Sequence, residues 1–230
     1  KSLYLYSDTN VAFANNNLYY YDPWGYQRTA IYLKWCHNFT FNNSYMYLRS
    51  EYKGRLWEIK NSSLGVISGD SLIVNNRGTN PIALYINQSR DMKILDNYIY
   101  HSDSRNDSHW GLYIYNSSGT NIVKGNYIAI NPNVTAGSSI GLYNLSCQDG
   151  LHIDSNIIKN YKTGVLSNSY MGDRLIFNRN TLDDIISTGI YIKGDSGVYT
   201  DNIINSIVGG NGVLIDGSGG ANVSRNKILG

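Results

Sequence analysis

Helical periodicity, basic charge, proline and long apolar runs are all scarce in this chain, and each shortage removes a class of protein. No stretch of ten or more residues repeats its apolar positions at helical spacing, so a helix-built design is excluded. Charged residues make up 16% of the sequence and the formal net charge is +2, which provides no basic field for nucleic acid. No apolar run approaches the roughly 18 residues of a membrane span. Three prolines in 230 residues exclude a proline-rich linker. No Gly-x-Gly-x-x-Gly or Walker-type loop is present, so no nucleotide, and no other cofactor, is expected. The first residue is Lys1 with no start methionine or signal peptide, and a processed mature chain or a trimmed piece is expected.

What the chain does have is a repeat. Gly189-Ile-Tyr-Ile is followed by Val198-Tyr-Thr-Asp-Asn-Ile-Ile204 and then by Gly212-Val-Leu-Ile, where the first phrase returns. One phrase is a small residue followed by apolar, outward, apolar. It recurs at Ser2-Leu-Tyr-Leu, Ala30-Ile-Tyr-Leu, Arg55-Leu-Trp (degraded), Ala83-Leu-Tyr-Ile, Gly111-Leu-Tyr-Ile, Gly141-Leu-Tyr-Asn-Leu and Gly164-Val-Leu. The other phrase is centred on asparagine and recurs at Asn16, Asn97, Asn126, Asn156, Asn180, Asn202 and Asn226, with weaker copies near Ser44 and Asn76. About nine copies of each alternate at a spacing near 25 residues, a period that marks a solenoid.

The phrases also specify the solenoid. Alternation in Gly111-Leu-Tyr-Ile makes a short strand with Leu112 and Ile114 inward and Tyr113 outward. Val123 and Ile128 have opposite parity, so the chain bends between Val123 and Asn126. Asparagine suits the bend because it tolerates the left-handed region and bonds to nearby backbone. Stacked turn upon turn, its amides form a ladder of side-chain hydrogen bonds. The reading is an all-β, single-stranded parallel β-helix of about nine rungs, one domain over residues 1–230. On these asparagine bends and this coil length the chain resembles the right-handed parallel β-helix repeats of the pectate-lyase-like superfamily, nearest to NosD-like and cell-surface β-helix proteins. The resemblance implies a fold and leaves activity open, because that scaffold hosts lyases, hydrolases, epimerases, tailspikes and surface proteins.

Cys36 and Cys147 hold the same place in the repeat four rungs apart. At about 4.8 Å per rung that is about 19 Å, so no intramolecular disulfide is expected, only two part-buried thiols. Asn-X-Ser/Thr triplets occur at Asn38, Asn42, Asn61, Asn87, Asn106, Asn116, Asn133, Asn144 and Asn222. Asn38, Asn61, Asn87, Asn116 and Asn144 are expected in the turn after the first phrase, where glycans would line one edge of the coil. The rival reading takes them as ordinary turn formers. Either way an extracellular, cell-surface location is expected.

Tyr19-Tyr-Tyr-Asp-Pro-Trp-Gly-Tyr26 is read as a loop leaving the coil. The outward positions of the first phrase give an aromatic column of Tyr4, Tyr32, Trp57, Tyr85, Tyr113, Tyr143 and Tyr191. It admits three readings: a packing interface between subunits, a platform for polysaccharide, or tyrosine serving only its strand propensity. Catalytic candidates are thin. Lys159, Asp183 and Asp184 gather in adjacent rungs. Cys147-Gln-Asp-Gly-Leu-His-Ile-Asp154, with Asp149 and His152, is similar to the Asp-Gly-aliphatic-His stretch of pectin-active β-helix enzymes. No carboxylate set fit for acid–base work or for a metal is evident, so no metal site is expected. The expected role is an extracellular, N-glycosylated subunit of a surface layer, sheath or filament. The alternative is a polysaccharide-active enzyme or carbohydrate-binding fragment. The chain opens on Ser2-Leu-Tyr-Leu and closes after Asn226, a whole number of rungs with no cap in sight. Subunits are therefore expected to stack end to end with an axial repeat of about 43 Å, and possibly to associate laterally.

Overall fold

A computed structural model of the chain describes residues 2–22, 28–51, 54–76, 78, 80–103, 108–133, 137–148, 150–168, 175–194, 196–205, 209–217 and 220–229. Among the described residues every regular element is a strand. Accordingly no helix is long and apolar enough to cross a membrane.

The strands repeat in threes. In the first turn β1 (Leu3–Tyr6), β2 (Ala12–Ala14) and β3 (Asn17–Asp22) lie on three faces, and each later turn adds one strand to every face. The result is three parallel sheets, each of nine strands: a β-solenoid. The small-apolar-Tyr-apolar phrase builds the first sheet. The asparagine phrase spans the corner between the second sheet and the third, as where Ile122–Lys124 gives way to Tyr127–Ile130.

Register aligns like with like. Leu84, Leu112, Leu142, Val165 and Ile190 pair in the first sheet, and Ile94, Val123, Ile153, Phe177 and Tyr199 in the second. The third sheet contributes Leu72, Ile99, Ile128, Ile158, Leu182 and Ile204. All these side chains are fully buried. The core is thus a column in which each turn is covered by the turns on either side. Turn length varies freely: Leu112 pairs with Leu142, whereas Leu142 pairs with Val165.

The first position of the phrase is small for a steric reason. A Cβ on Gly111 would stand 2.5 Å from Ile128 Cγ2 and 2.6 Å from the Gly141 carbonyl oxygen. The third turn breaks this pattern and shifts the expected register. Trp57 pairs with Ile31 and Leu84 and is wholly buried, while Glu58 takes the outward place beside Tyr32 and Tyr85. Leu56, not Arg55, occupies the small-residue position there, so the aromatic lies inside the coil.

Two further expectations are corrected. The left-handed conformation at the corner belongs to the residue before the ladder asparagine: Asn15, Asn43, Asp96, Ser155, Arg179, Asp201 and Arg225 all have positive φ, as do Gly69 and Gly125. The asparagine instead supplies hydrogen bonds. Tyr19 to Asp22 continues a strand rather than leaving the coil, with Tyr20 buried and Tyr19 and Tyr21 exposed, because tyrosine alternation suits a pleated face. Pro23 to Tyr26 lies outside the described residues.

Candidate functional site

The corner column is the most ordered polar feature. In each of Asn97, Asn126, Asn156, Asn180 and Asn202 the backbone N–H donates to Oδ1 of the next asparagine at 2.9–3.0 Å. The Nδ2 of the same residue donates to that Oδ1 and to a second-sheet carbonyl one turn back: Ile67, Ile94, Val123, Ile153 and Phe177 in order. Asn226 ends the column with a bond to the Tyr199 carbonyl. Asn16 begins it, but the places between Asn16 and Asn97 are held by other residues. Asn16 N–H donates to Ser44 Oγ at 3.1 Å, Ser44 N–H to Asp70 Oδ1 at 2.7 Å, and Asp70 N–H to Asn97 Oδ1 at 2.9 Å. Asn76, expected here, instead ends a third-sheet strand and accepts from Gly78 N–H.

A second column joins Cys36 and Cys147, which the sequence placed four rungs apart, through serines that the sequence reading missed. Cys36 N–H donates to Ser62 Oγ, Ser62 N–H to Ser89 Oγ and Ser89 N–H to Ser117 Oγ, at 3.1 to 3.3 Å. Cys147 lies beyond, its Sγ directed at the Ile114 and Leu145 carbonyls. Neither cysteine forms a disulfide; both are buried, and three serines separate them. Burial pushes the Cys36 thiol above its usual range, which keeps it an inert thiol. The signal was a small hydroxyl or thiol side chain at one fixed place in successive turns.

The aromatic residues occupy two faces rather than one. On the first sheet the outward column runs Tyr4, Tyr32, Glu58, Tyr85, Tyr113, Tyr143, Leu166, Tyr191, Leu214. Tyr113 and Tyr143 stack at 4.8 Å and 7° between planes, and Trp110 meets both edge-on. Glu58 accepts from Arg55 at 2.6 Å, and the Arg55 guanidinium lies 4.3 Å from the Tyr85 ring centre. Burial, then the neighbouring phenols, raises the Tyr113 hydroxyl far above its ordinary range. Tyr191 donates to Asp216 Oδ2 at 3.0 Å.

On the third sheet Tyr19, Tyr45, Tyr47, Tyr98, Tyr100 and Tyr127 form a face that sequence reading missed. Tyr98 and Tyr127 stack at 5.2 Å and 6°. Tyr45, Tyr98 and Tyr127 directly follow the corner residues Ser44, Asn97 and Asn126, which was the available signal. Over the first five turns the two outward columns of this face, Asn17–Tyr45–Ser71–Tyr98–Tyr127 and Tyr19–Tyr47–Ile73–Tyr100–Ala129, hold no charged residue.

The catalytic candidates do not converge. Lys159 Nζ lies 2.7 Å from Asp183 Oδ2 and 3.0 Å from Asp184 Oδ2. These bonds raise the lysine pKa, and Lys159 in turn lowers that of Asp183. A lysine held protonated is a poor base and a carboxylate held ionised a poor acid. His152 is half-buried on the second sheet between Ile122 and Ile176, a different face from Lys159 on the third. Asp149 lies outside the described residues. Burial works to raise the Asp154 pKa, but hydrogen bonds from Arg179 and Ser155 outweigh it and the net shift is downward. Among the described residues no group of three or more His, Cys, Asp or Glu is placed to hold a metal ion. His101 and His109 are buried with ring centres 5.3 Å apart, and burial lowers the His101 pKa to about 3.

The glycan acceptors separate by exposure. Asn38, Asn116, Asn133 and Asn222 are exposed and Asn42 and Asn61 half-buried. Asn61 and Asn116 share a corner position of positive φ, whereas Asn38 sits three residues further along its turn. Asn87 is a buried strand residue whose triplet serine, Ser89, donates into the backbone. Asn144 faces the core, wholly buried beside Ile114 and Ser167, and donates to Ser167 Oγ. Neither Asn87 nor Asn144 is open to an enzyme in the folded coil, so the expected single edge of acceptors is not formed. Asn106 lies outside the described residues.

No family model matches the chain, and no curated protein matches it in sequence. Among solved structures it aligns with the surface protein and adhesin PfbA of Streptococcus pneumoniae at 9% identity and a TM-score of 0.33, covering 87% of this chain and 68% of that one. It also aligns with a trypsin-treated variant of QnrB1, a plasmid-mediated fluoroquinolone resistance protein, at 10% identity and a TM-score of 0.20, covering 91% of both. Neither likeness carries an argument about what this chain binds or does.

Proposed function

We propose that the chain is a structural rod of an extracellular surface, part of a layer, sheath or filament, which makes lateral contacts through its tyrosine-lined sheets. The observation that carries this reading is the way the rings lie. A sugar packs its C–H face on an open aromatic face, but Tyr113 covers Tyr143 and Tyr98 covers Tyr127 at 7° and 6°. The faces between the stacked rings are therefore closed to a sugar, and what they leave for contact suits a protein neighbour better than a saccharide. Rings already held by their neighbours lose little freedom on contact, and the two uncharged outward columns of the third sheet over the first five turns bring no ion to desolvate. Exposed acceptors such as Asn116 and Asn222 support the extracellular part of the reading.

End-on continuation belongs to the same proposal. At one end Leu3, Leu5, Phe13 and Leu18 are only partly covered, and at the other Val213, Val223 and Ile228. A further turn in register, from the same chain or from a second copy, fits either face.

The test is sedimentation velocity over a wide concentration range. Association that weakens in a Tyr98→Ser/Tyr127→Ser double variant is expected. A wild-type monomer at every concentration, or cleavage of an acidic polysaccharide lost on Asp183→Ala or His152→Ala, would reverse the assignment.

A further inference from the structure

The asparagine column contains one carboxylic acid. Asp70 is 1% exposed and sits in the third turn where its neighbours further along place an asparagine. Its Oδ1 does what an asparagine Oδ1 does, accepting the Ser44 N–H. Its Oδ2 stands in the place of Nδ2 and has no hydrogen-bond partner. Everywhere else from Asn97 to Asn202 that atom donates, to the next Oδ1 and to a carbonyl one turn back. By the same register the acceptors that an Nδ2 at this place would meet are Asn97 Oδ1, which takes the Asp70 N–H already, and the Phe41 carbonyl. An ionised Oδ2 brings a third acceptor to that position and no hydrogen. A protonated one supplies O–H where the column needs it.

We infer that Asp70 is an acid-closed joint: taking up one proton from solvent gives it a donor where asparagine has Nδ2 and restores one of the two bonds the column otherwise lacks across the third turn. The groups around it leave the carboxylate alone in this role. Phe41, Ile67 and Ile94, paired in the second sheet just before the corner, are fully buried; Ser44 and Asn97 bond to Asp70 from the turns on either side; and Lys93 and Asp96 of the adjoining turn are exposed. Burial raises the Asp70 pKa to about 6, opposed only by the Ser44 N–H, with no contribution from a charged neighbour. In the unfolded chain the group ionises near its ordinary 3.8. The folded value is the higher, so the stabilisation is complete below the unfolded pKa and is lost as pH rises from about 4 to about 6. Because a solenoid is stabilised turn by turn, the loss is local. It loosens the first two turns, which carry the exposed Tyr4, Tyr6, Tyr19, Tyr21 and Trp35.

The experiment compares thermal unfolding of the wild type and Asp70→Asn from pH 4 to pH 8. The variant should melt higher at pH 7.5, by roughly 5 °C or more, and the gap should close between about pH 6 and pH 4, with its midpoint about halfway between the folded and unfolded pKa values. His101 is common to both proteins and cancels in the difference. A gap that does not change with pH, or a variant less stable throughout, overturns the inference. If the variant does not fold, the carboxyl carbon of Asp70 followed by NMR in the wild type decides the matter. Titration near pH 6 supports the joint, and titration in the ordinary range near 4 rejects it.

Discussion

One amide in each turn carries the corner of this coil, and its removal has a definite cost. Asn180 is wholly buried, accepts the Asn156 N–H and donates to the Ile153 carbonyl and to Asn202 Oδ1. Asn180→Ala strands these groups away from water and should destabilise the protein by about 2–4 kcal/mol in urea titration. Asn222→Ala, at an exposed strand position, should change stability by no more than about 0.5 kcal/mol. Equal losses would show that the column is not what holds the corner. His101 acts with the opposite sign to Asp70. Its Nε2–H donates to the Trp110 carbonyl while the ring stays buried, and its folded pKa of about 3 lies below the unfolded 6.5. Its contribution is therefore present above 6.5 and drains away as pH falls towards 3, so His101→Gln should flatten the acid side of the stability profile. At this scale the sequence was legible where the column keeps asparagine. It was faint at Ser44, read as a weaker copy, and silent at Asp70, because other side chains accept the same N–H and a periodic search for one residue type passes over them.

Elements were legible wherever a phrase had a steric reason. Gly141 illustrates the case: a Cβ there would fall on Ile158 Cγ2 and stand 2.8 Å from the Gly164 carbonyl oxygen. Gly141→Ala should destabilise the coil by about 1–3 kcal/mol through overpacking, measured as a lower denaturant midpoint at unchanged slope. The same logic failed at Leu56, where an interior that accepts a large side chain removed the steric signal, and Trp57 was placed on the wrong face. Parity alone could not separate the two registers of Arg55-Leu-Trp-Glu-Ile. The third-sheet tyrosines were hidden differently. They follow the corner, so they read as the variable position of the asparagine phrase rather than as a column of their own. The Lys159–Asp183–Asp184 group tests the boundary between structure and chemistry on one element. It is about one-third to one-half exposed, so Lys159→Met should cost no more than about 1 kcal/mol. A far larger effect would point to a role beyond a surface ion pair.

At the scale of the whole molecule the solenoid has no single centre, because each turn contacts only the turns beside it. Stability should therefore vary along the axis, and hydrogen exchange, corrected for intrinsic rates, measures that directly. Backbone amides around Leu112, Leu142 and Ile128 have covered turns on both sides and should exchange slowest. Those of Asn211–Asp216 and Lys227–Leu229, whose side chains are largely exposed and paired on one side, should exchange fastest. Above pH 6 a second weak zone is expected around Val66 to Asn76 and in the turns before it, set by the uncompleted joint at Asp70. It should fade on acidification and be absent in Asp70→Asn at every pH. Uniform protection from end to end would mean that the turns unfold as one cooperative unit. In that case neither a graded coil nor a local joint describes the protein.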